Sequence, residues 1–326
     1  MRRTFLITSS LLLAQMVIGC QTTPPPTVRD QRAQRLVGQA EVFLDRGLSD
    51  SALAAFGLAL EENFDITVAH LGMGNIYRER GDYRLASRAY ERAIDTDPNS
   101  FEAHYNLGLV RQLMGEIELA VRTYLRALTL DPDNAQANRD LASAYLQLNR
   151  PGEALPYARR ATRLSPRDAG AWANLASALS LTGDYEQAIN AYRQAADLTD
   201  EPAEPVLLGL ADAHIRLGNH QLAINVLESL LRTHNSPTAR ERYGYALFKL
   251  RRFDEALVQF ETALQQDSEN VPALNGVGVC LMTKYLLDEG TDRELHRRAV
   301  EAWRRSLQLR PNQSHIQDLL ARFGRG

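Results

Sequence analysis

Two consecutive stretches decide the fold: TVAHLGMGNIYRERGDYRLASRAYERAIDTDPNS, residues 67–100, and FEAHYNLGLVRQLMGEIELAVRTYLRALTLDPDN, residues 101–134. Laid one over the other without a gap, they match Gly74 with Gly108, Gly81 with Gly115 and Ala86 with Ala120. Tyr90 then falls on Tyr124, Ala93 on Ala127 and Pro98 on Pro132. Self-similarity at a fixed period of this length is the signature of a repeat architecture.

The register extends in both directions. Ala86, Ala120, Ala154, Ala188, Ala223 and Ala256 recur at intervals of 34, 34, 34, 35 and 33, and Ala52 and Ala299 complete a set of eight. Twelve residues before seven of these stands another small residue: Ala40, Gly74, Gly108, Ala142, Ala176, Ala211 or Gly244. In the eighth repeat Gly278 takes that place, but 21 residues ahead of Ala299, so about nine extra residues lie within 282–298. They either lengthen a helix pair or form a protruding loop, and the first is expected, because insertions in repeats decorate an edge.

The spacing describes two helices, A and B, joined by a tight turn. Small residues at the crossing let the two axes approach to about 8–10 Å. Tyr77, Tyr90, Tyr124, Tyr145, Tyr192, Phe260 and Trp303 are the bulky residues expected to fill around them. Gly81-Asp82, Gly115-Glu116, Gly183-Asp184 and Gly218-Asn219 read as the A–B turns, where glycine takes the left-handed conformation that ends a helix. Pro98, Pro132 and Pro166 end the B helices, since proline cannot donate into a continuing helix. Asp97-Pro98-Asn99 and Asp131-Pro132-Asp133-Asn134 are expected to cap the next helix.

These residues resemble the tetratricopeptide-repeat family. The resemblance implies an all-α, right-handed superhelical solenoid of about eight helix-turn-helix units. Clear units are 67–100, 101–134, 135–168 and 169–202, and looser ones are 33–66, 204–237, 237–270 and 271–313. A short capping helix over 314–326 follows, with Ser314 as its N-cap and Ile316, Leu319, Leu320 and Phe323 as its apolar stripe. By resemblance, the A helices line a concave wall that holds protein or peptide partners. The positions carried over to that wall are Asn75, Arg78, Tyr105, Asn106, Arg139, Asp140, Asn174, Asp212, Glu241, Arg242 and Tyr245. Asparagine amides both donate and accept toward a peptide backbone, and tyrosine gives contact area at low entropic cost. On this reading, reversing the charge at Arg139 and Arg242 weakens capture without lowering the melting temperature. The carboxylate-clamp pattern of co-chaperone repeats is matched at Asn75 and Asn106. It fails at Leu71, Gln136 and Asp140, where basic residues belong, which argues against a cytosolic co-chaperone.

The N-terminus reads as an address. Arg2-Arg3 precedes an apolar run from Phe5 to Ala14, in signal-peptide order. Val17-Ile18-Gly19-Cys20 resembles a bacterial lipobox, which implies cleavage after residue 19 and a diacylglyceryl group on Cys20. Gln21 stands where an aspartate would signal inner-membrane retention, so the resemblance points to the outer membrane, facing the periplasm. Residues 20–32, with Thr22-Thr23-Pro24-Pro25-Pro26, read as the lipidated cysteine and a proline-rich tether.

Composition sets the outer bounds. Of 326 residues, 44% are hydrophobic and 24% charged, ordinary values for a folded chain. The net charge of −3, falling to −5 without Arg2 and Arg3, and the lack of a basic block argue against a nucleic-acid partner. Two cysteines exclude a disulfide framework, and Cys280 reads as a buried inert thiol. No phosphate-binding, HExxH or GxSxG motif occurs, so no enzyme, cofactor or small-molecule substrate is expected. His70 and His104 hold equivalent places in adjacent repeats; packing in place of the family's tryptophan, as at Trp172, is expected of them over a metal pair. The sum is a membrane-anchored interaction scaffold of the bacterial cell envelope. Its resemblances include pilus and secretin assembly lipoproteins and adaptors for peptidoglycan enzymes.

Overall fold

The computed structural model describes residues 27–324, so Cys20, the signal segment and the first part of the tether lie outside the described residues. Every regular element among the described residues is a helix. The chain divides into two compact units, residues 1–73 and 74–326.

The first unit holds α1 (Val28–Asp45), α2 (Ser49–Glu62) and the opening of α3 (Thr67–Glu79). Helix α1 begins at Val28, so residues 28–32, assigned above to the tether, are helical. The reason is local: Thr27 and Asp30 form a reciprocal capping box that satisfies backbone donors at the helix start. Asp30 is held below its usual pKa by the hydrogen bonds from Thr27. Ala33, Ala40, Ala52, Phe56 and Ala59 form the interior, and the Phe56 ring lies against Gly72, where a β-carbon would overlap it.

The second unit continues α3 and adds eleven helices of similar length. They are α4 (Tyr83–Thr96), α5 (Phe101–Leu113), α6 (Ile117–Leu130), α7 (Ala135–Gln147), α8 (Pro151–Leu164), α9 (Ala169–Leu181), α10 (Tyr185–Asp197), α11 (Glu204–Arg216), α12 (His220–Thr233), α13 (Pro237–Lys249) and α14 (Phe253–Gln266). A longer pair, α15 (Val271–Leu287) and α16 (Arg293–Leu309), and a final α17 (Ser314–Phe323) end the array. From α4 onward each helix packs on its neighbours in sequence, and A helices also meet the next A helix, as α7 meets α9 and α13 meets α15. The result is a helical-repeat solenoid built from nearest-neighbour contacts.

The crossing alanines Ala86, Ala120, Ala154, Ala188, Ala223, Ala256 and Ala299 are wholly buried. Aromatic rings of the B helices fill the space that small A-helix residues leave. Tyr90 lies on Gly74, Tyr124 on Gly108 and Trp303 on Gly278, while Phe260 is wedged between Gly244 and Gly276.

The A–B turns close as expected, with Gly81 at φ 81° and the Asp82 N–H bonded back to the Tyr77 carbonyl. Two turns lack glycine. There Asn149 (φ 54°) and Arg251 (φ 62°) adopt the same left-handed conformation.

Two details differ from expectation, and a third, the longer last helix pair, agrees with it. The side chain capping α5 is Ser100, while Asp97 holds the turn by accepting the Asn99 N–H. The N-cap of α17 is Gln313, not Ser314, and its side chain reaches back to the Ser306 and Arg310 carbonyls. The extra residues of the last repeat lengthen both helices to 17 residues, against 13 or 14 in the other hairpins of this unit, and leave a short connection at 288–292.

A candidate interaction surface on the A helices

A repeated polar contact fixes the start of α3, α5, α7 and α9. His104 hydrogen-bonds through Nε2 to the Pro98 carbonyl at 3.1 Å, Asn138 donates to Pro132 at 3.0 Å, and Trp172 donates to Pro166 at 2.9 Å. In the first unit His70 reaches Phe64 the same way at 3.1 Å. Each pair is six residues apart, so an unlike set of N–H donors does one job. The two histidines spend a ring nitrogen on this anchor, and no group of three or more potential metal ligands occurs among the described residues.

The residues carried over to the partner wall fall into three groups within the second unit. In the first, Tyr90 donates to Asn75 Oδ1 at 2.7 Å, Asn106 approaches the same oxygen at 3.5 Å, and Arg78 reaches Asn106 Oδ1 at 3.4 Å. Burial raises the Tyr90 pKa to about 12, so the hydroxyl stays a donor. The two asparagines that match the clamp pattern are thus engaged within the protein, Asn75 with its own repeat and Asn106 with the preceding one.

In the second group, the Tyr105 hydroxyl donates to Asp140 at 2.7 Å across α5 and α7. Burial, then the bond to Asp140, raises the Tyr105 pKa. Arg139 bridges Asp140 and Asp168, each at 3.0 Å, and the Asn174 amide donates to the Arg139 carbonyl at 3.0 Å. This lattice ties α5, α7 and α9 together.

In the third group, Arg242 lies 2.7 Å from Asp212 and 2.5 Å from Glu241. Its Nε–H is not aimed along the Asp212 contact, which acts as a close charge pair. Burial raises the pKa of both carboxylates, with Arg242 opposing the rise. Tyr245, about a third exposed, carries the Lys249 ammonium 5.3 Å from its ring centre.

Two cavities open beside this third group. One of about 750 Å³ is lined by Ser180, Tyr185, Asp212, Arg216, His220, Arg242 and neighbouring residues. The second, about 450 Å³, is walled by Phe248, Phe260, Pro272, Val279 and Ile316. Glu241, Tyr245 and Lys249 line both, so the two adjoin along α13. Their size suits an inserted side chain or a short peptide segment.

Of the sequence-derived positions, Asp212, Glu241, Arg242 and Tyr245 border these cavities. Arg139 and Arg242 are held by their own carboxylates, which corrects the expectation that their charge can be reversed at no cost to stability. Sequence reasoning missed Arg216, His220, Lys249, Phe248, Val279 and Ile316. Arg216, Phe248, Lys249 and Val279 lie near the ends or on less regular faces of the A helices. Ile316 is in α17, which the pattern marks only as a cap. Cys280 is buried with its thiol pKa pushed up to about 12, an inert group as expected. No described helix is long and apolar enough to cross a membrane.

Comparison with known proteins accords with this architecture. A family profile described as tetratricopeptide repeat matches residues 110–169, 139–203 and 208–284, and one described as TPR repeat matches 74–115. A search of curated sequences gives no significant match. Among solved structures, PilF of Pseudomonas aeruginosa is similar at 21% identity, over 66% of this chain and 98% of that one, with a TM-score of 0.55. PilW, described as a widely conserved type IV pilus biogenesis factor, is similar at 20% identity over 62% of this chain and 94% of its own, with a TM-score of 0.52. A tetratricopeptide-repeat protein of Parabacteroides merdae is similar at 18% identity over 73% and 94%, with a TM-score of 0.52. At these identities the structures share the fold. With profiles covering more than half its length and helical hairpins in the matching register, the chain belongs to the tetratricopeptide-repeat family.

Proposed function

We propose that this protein is a lipid-anchored scaffold of the bacterial cell envelope, tethered through Cys20 to the outer membrane and facing the periplasm. Its A-helix wall gathers protein partners during assembly of an envelope machine of the pilus or secretin kind. The observation that carries the reading is the adjoining pair of cavities along α9, α11, α13 and α15, on the wall where repeat scaffolds of this family receive peptides. Support for the setting comes from the order of basic residues, apolar run and lipobox at the N-terminus. The likeness in fold to PilF and PilW supports the pilus setting over others.

Crosslinking followed by capture of the lipidated protein tests the proposal. Pilus or secretin subunits among the captured proteins support it. Murein enzymes in their place redirect the scaffold to peptidoglycan processing, and recovery of no protein contradicts a scaffold role. Cys20→Ala is expected to leave the fold intact and move the protein out of the membrane fraction; a variant still membrane-bound without detergent contradicts the anchor.

A further inference from the structure

Two features of the cavity pair are left over once the wall's internal bonds are counted. The first is charge. Asp212 and Glu241 are both taken up by Arg242, which stands within ion-pair distance of each. Arg216 and Lys249 line the same space, are exposed, and make no ion pair among the described residues. The groove therefore holds three cations for two carboxylates, and the surplus is unneutralised. His220 adds no further charge, because burial and then Lys249 lower its pKa; its buried Nδ1 lacks a hydrogen-bond partner.

The second feature is the socket. Its polar rim is already satisfied: Asn275 donates to Gln313 at 2.8 Å and accepts from Ser306 at 2.6 Å, while Gln313 donates to backbone carbonyls. Beyond the edge shared with Lys249 and Tyr245, what meets a ligand is chiefly the apolar lining of Phe248, Phe260, Val279 and Ile316. Water there gains few hydrogen bonds, and an apolar side chain displacing it is favoured.

We infer that this groove receives an extended acidic peptide segment of the partner, with a large apolar side chain in the socket and its flanking carboxylates on Arg216 and Lys249. The inference rests on the reading of the A-helix wall as the partner surface, and names the chemistry of what binds there. Lys249 borders both cavities, so one carboxylate next to the apolar residue meets it while another reaches Arg216. Two cations outside any ion pair, with one net positive charge over the lining, suit a few carboxylates, not the repeated phosphates of a nucleic acid.

Fluorescence anisotropy with a labelled peptide Ser-Gly-Asp-Phe-Glu-Asp-Phe-Gly-Ser tests this. Two controls replace its acids with lysine or its phenylalanines with serine. The acidic aromatic peptide should bind the full chain at least about tenfold tighter than either control, the more so at low salt. Arg216→Glu with Lys249→Glu, at exposed positions, should reverse the charge preference. Val279→Gln should weaken only the aromatic peptides. Melting temperatures of the variants, measured alongside, separate lost recognition from lost fold. Equal binding of all three peptides, or preference for the lysine peptide by the native chain, overturns the inference. If none of the peptides binds while envelope partners still crosslink to the A-helix wall, the inference fails and the scaffold reading stands.

Discussion

Trp303 on α16 occupies the space that a β-carbon on Gly278 of α15 would need. The indole is almost wholly buried, and its neighbours leave it no room to retreat. Gly278→Ala is therefore expected to lower stability by about 1–3 kcal/mol through overpacking, despite alanine's better helix propensity. Gly57→Ala is the contrasting case, because α2 has open space there, and it should gain up to about 1 kcal/mol. Thermal melts followed by circular dichroism distinguish the two, and equal shifts would remove the ring-on-glycine account.

Arg251 closes an A–B turn in the left-handed conformation that Gly81 adopts at the equivalent place. A side chain there carries strain that glycine does not. Arg251→Gly should stabilise the protein by about 0.5–1 kcal/mol, partly offset by glycine's greater unfolded freedom. A loss of stability in urea melts would show that the side chain makes a contact worth more than the strain.

Arg139 joins Asp140 to Asp168, and its backbone carbonyl holds Asn174. Arg139→Glu leaves two half-buried carboxylates facing a third. The expected cost is about 1–3 kcal/mol, a typical worth for charged hydrogen bonds. Hydrogen exchange should quicken first at the ends of α7 and α9. A variant as stable as the parent would mean that solvent screens the whole cluster.

Burial raises the Glu241 pKa above its ordinary 4.5. A folded state that holds this proton more tightly than the unfolded state is favoured by acid. The contribution is full below about pH 4.5 and is lost as pH rises through the elevated value. Glu241→Gln removes that dependence while Arg242 keeps Asp212. The stability of the variant relative to the parent should rise with pH across this window. A pH-independent difference would contradict the burial argument.

The fold was legible in the sequence because the interior uses the smallest side chains at fixed intervals. Alanine at 86, 120, 154, 188, 223 and 256 leaves few alternatives to close helix crossing, and the structure buries each completely. Helix boundaries were less legible. Thr27 caps α1 and Gln313 closes the end of α16 through local bonds that a period of about 34 residues does not encode. The interaction surface was legible only as a set of positions. Asn75 and Asn106 look alike in sequence to free recognition amides, yet the structure commits them to Tyr90 and Arg78. The socket was hidden because Ile316 reaches it from outside the repeat pattern, and Lys249 lies at the end of its helix, beyond the positions the family motif marks.

Site-specific photocrosslinking in intact cells tests the central claim, that the A-helix wall captures the partner. One probe replaces Tyr245 at the junction of the two cavities, and a second replaces Val258 on the exposed face of α14. The account predicts a discrete crosslinked protein from position 245 and none from 258. Crosslinking from 258 alone would place the binding surface on the B helices and contradict it.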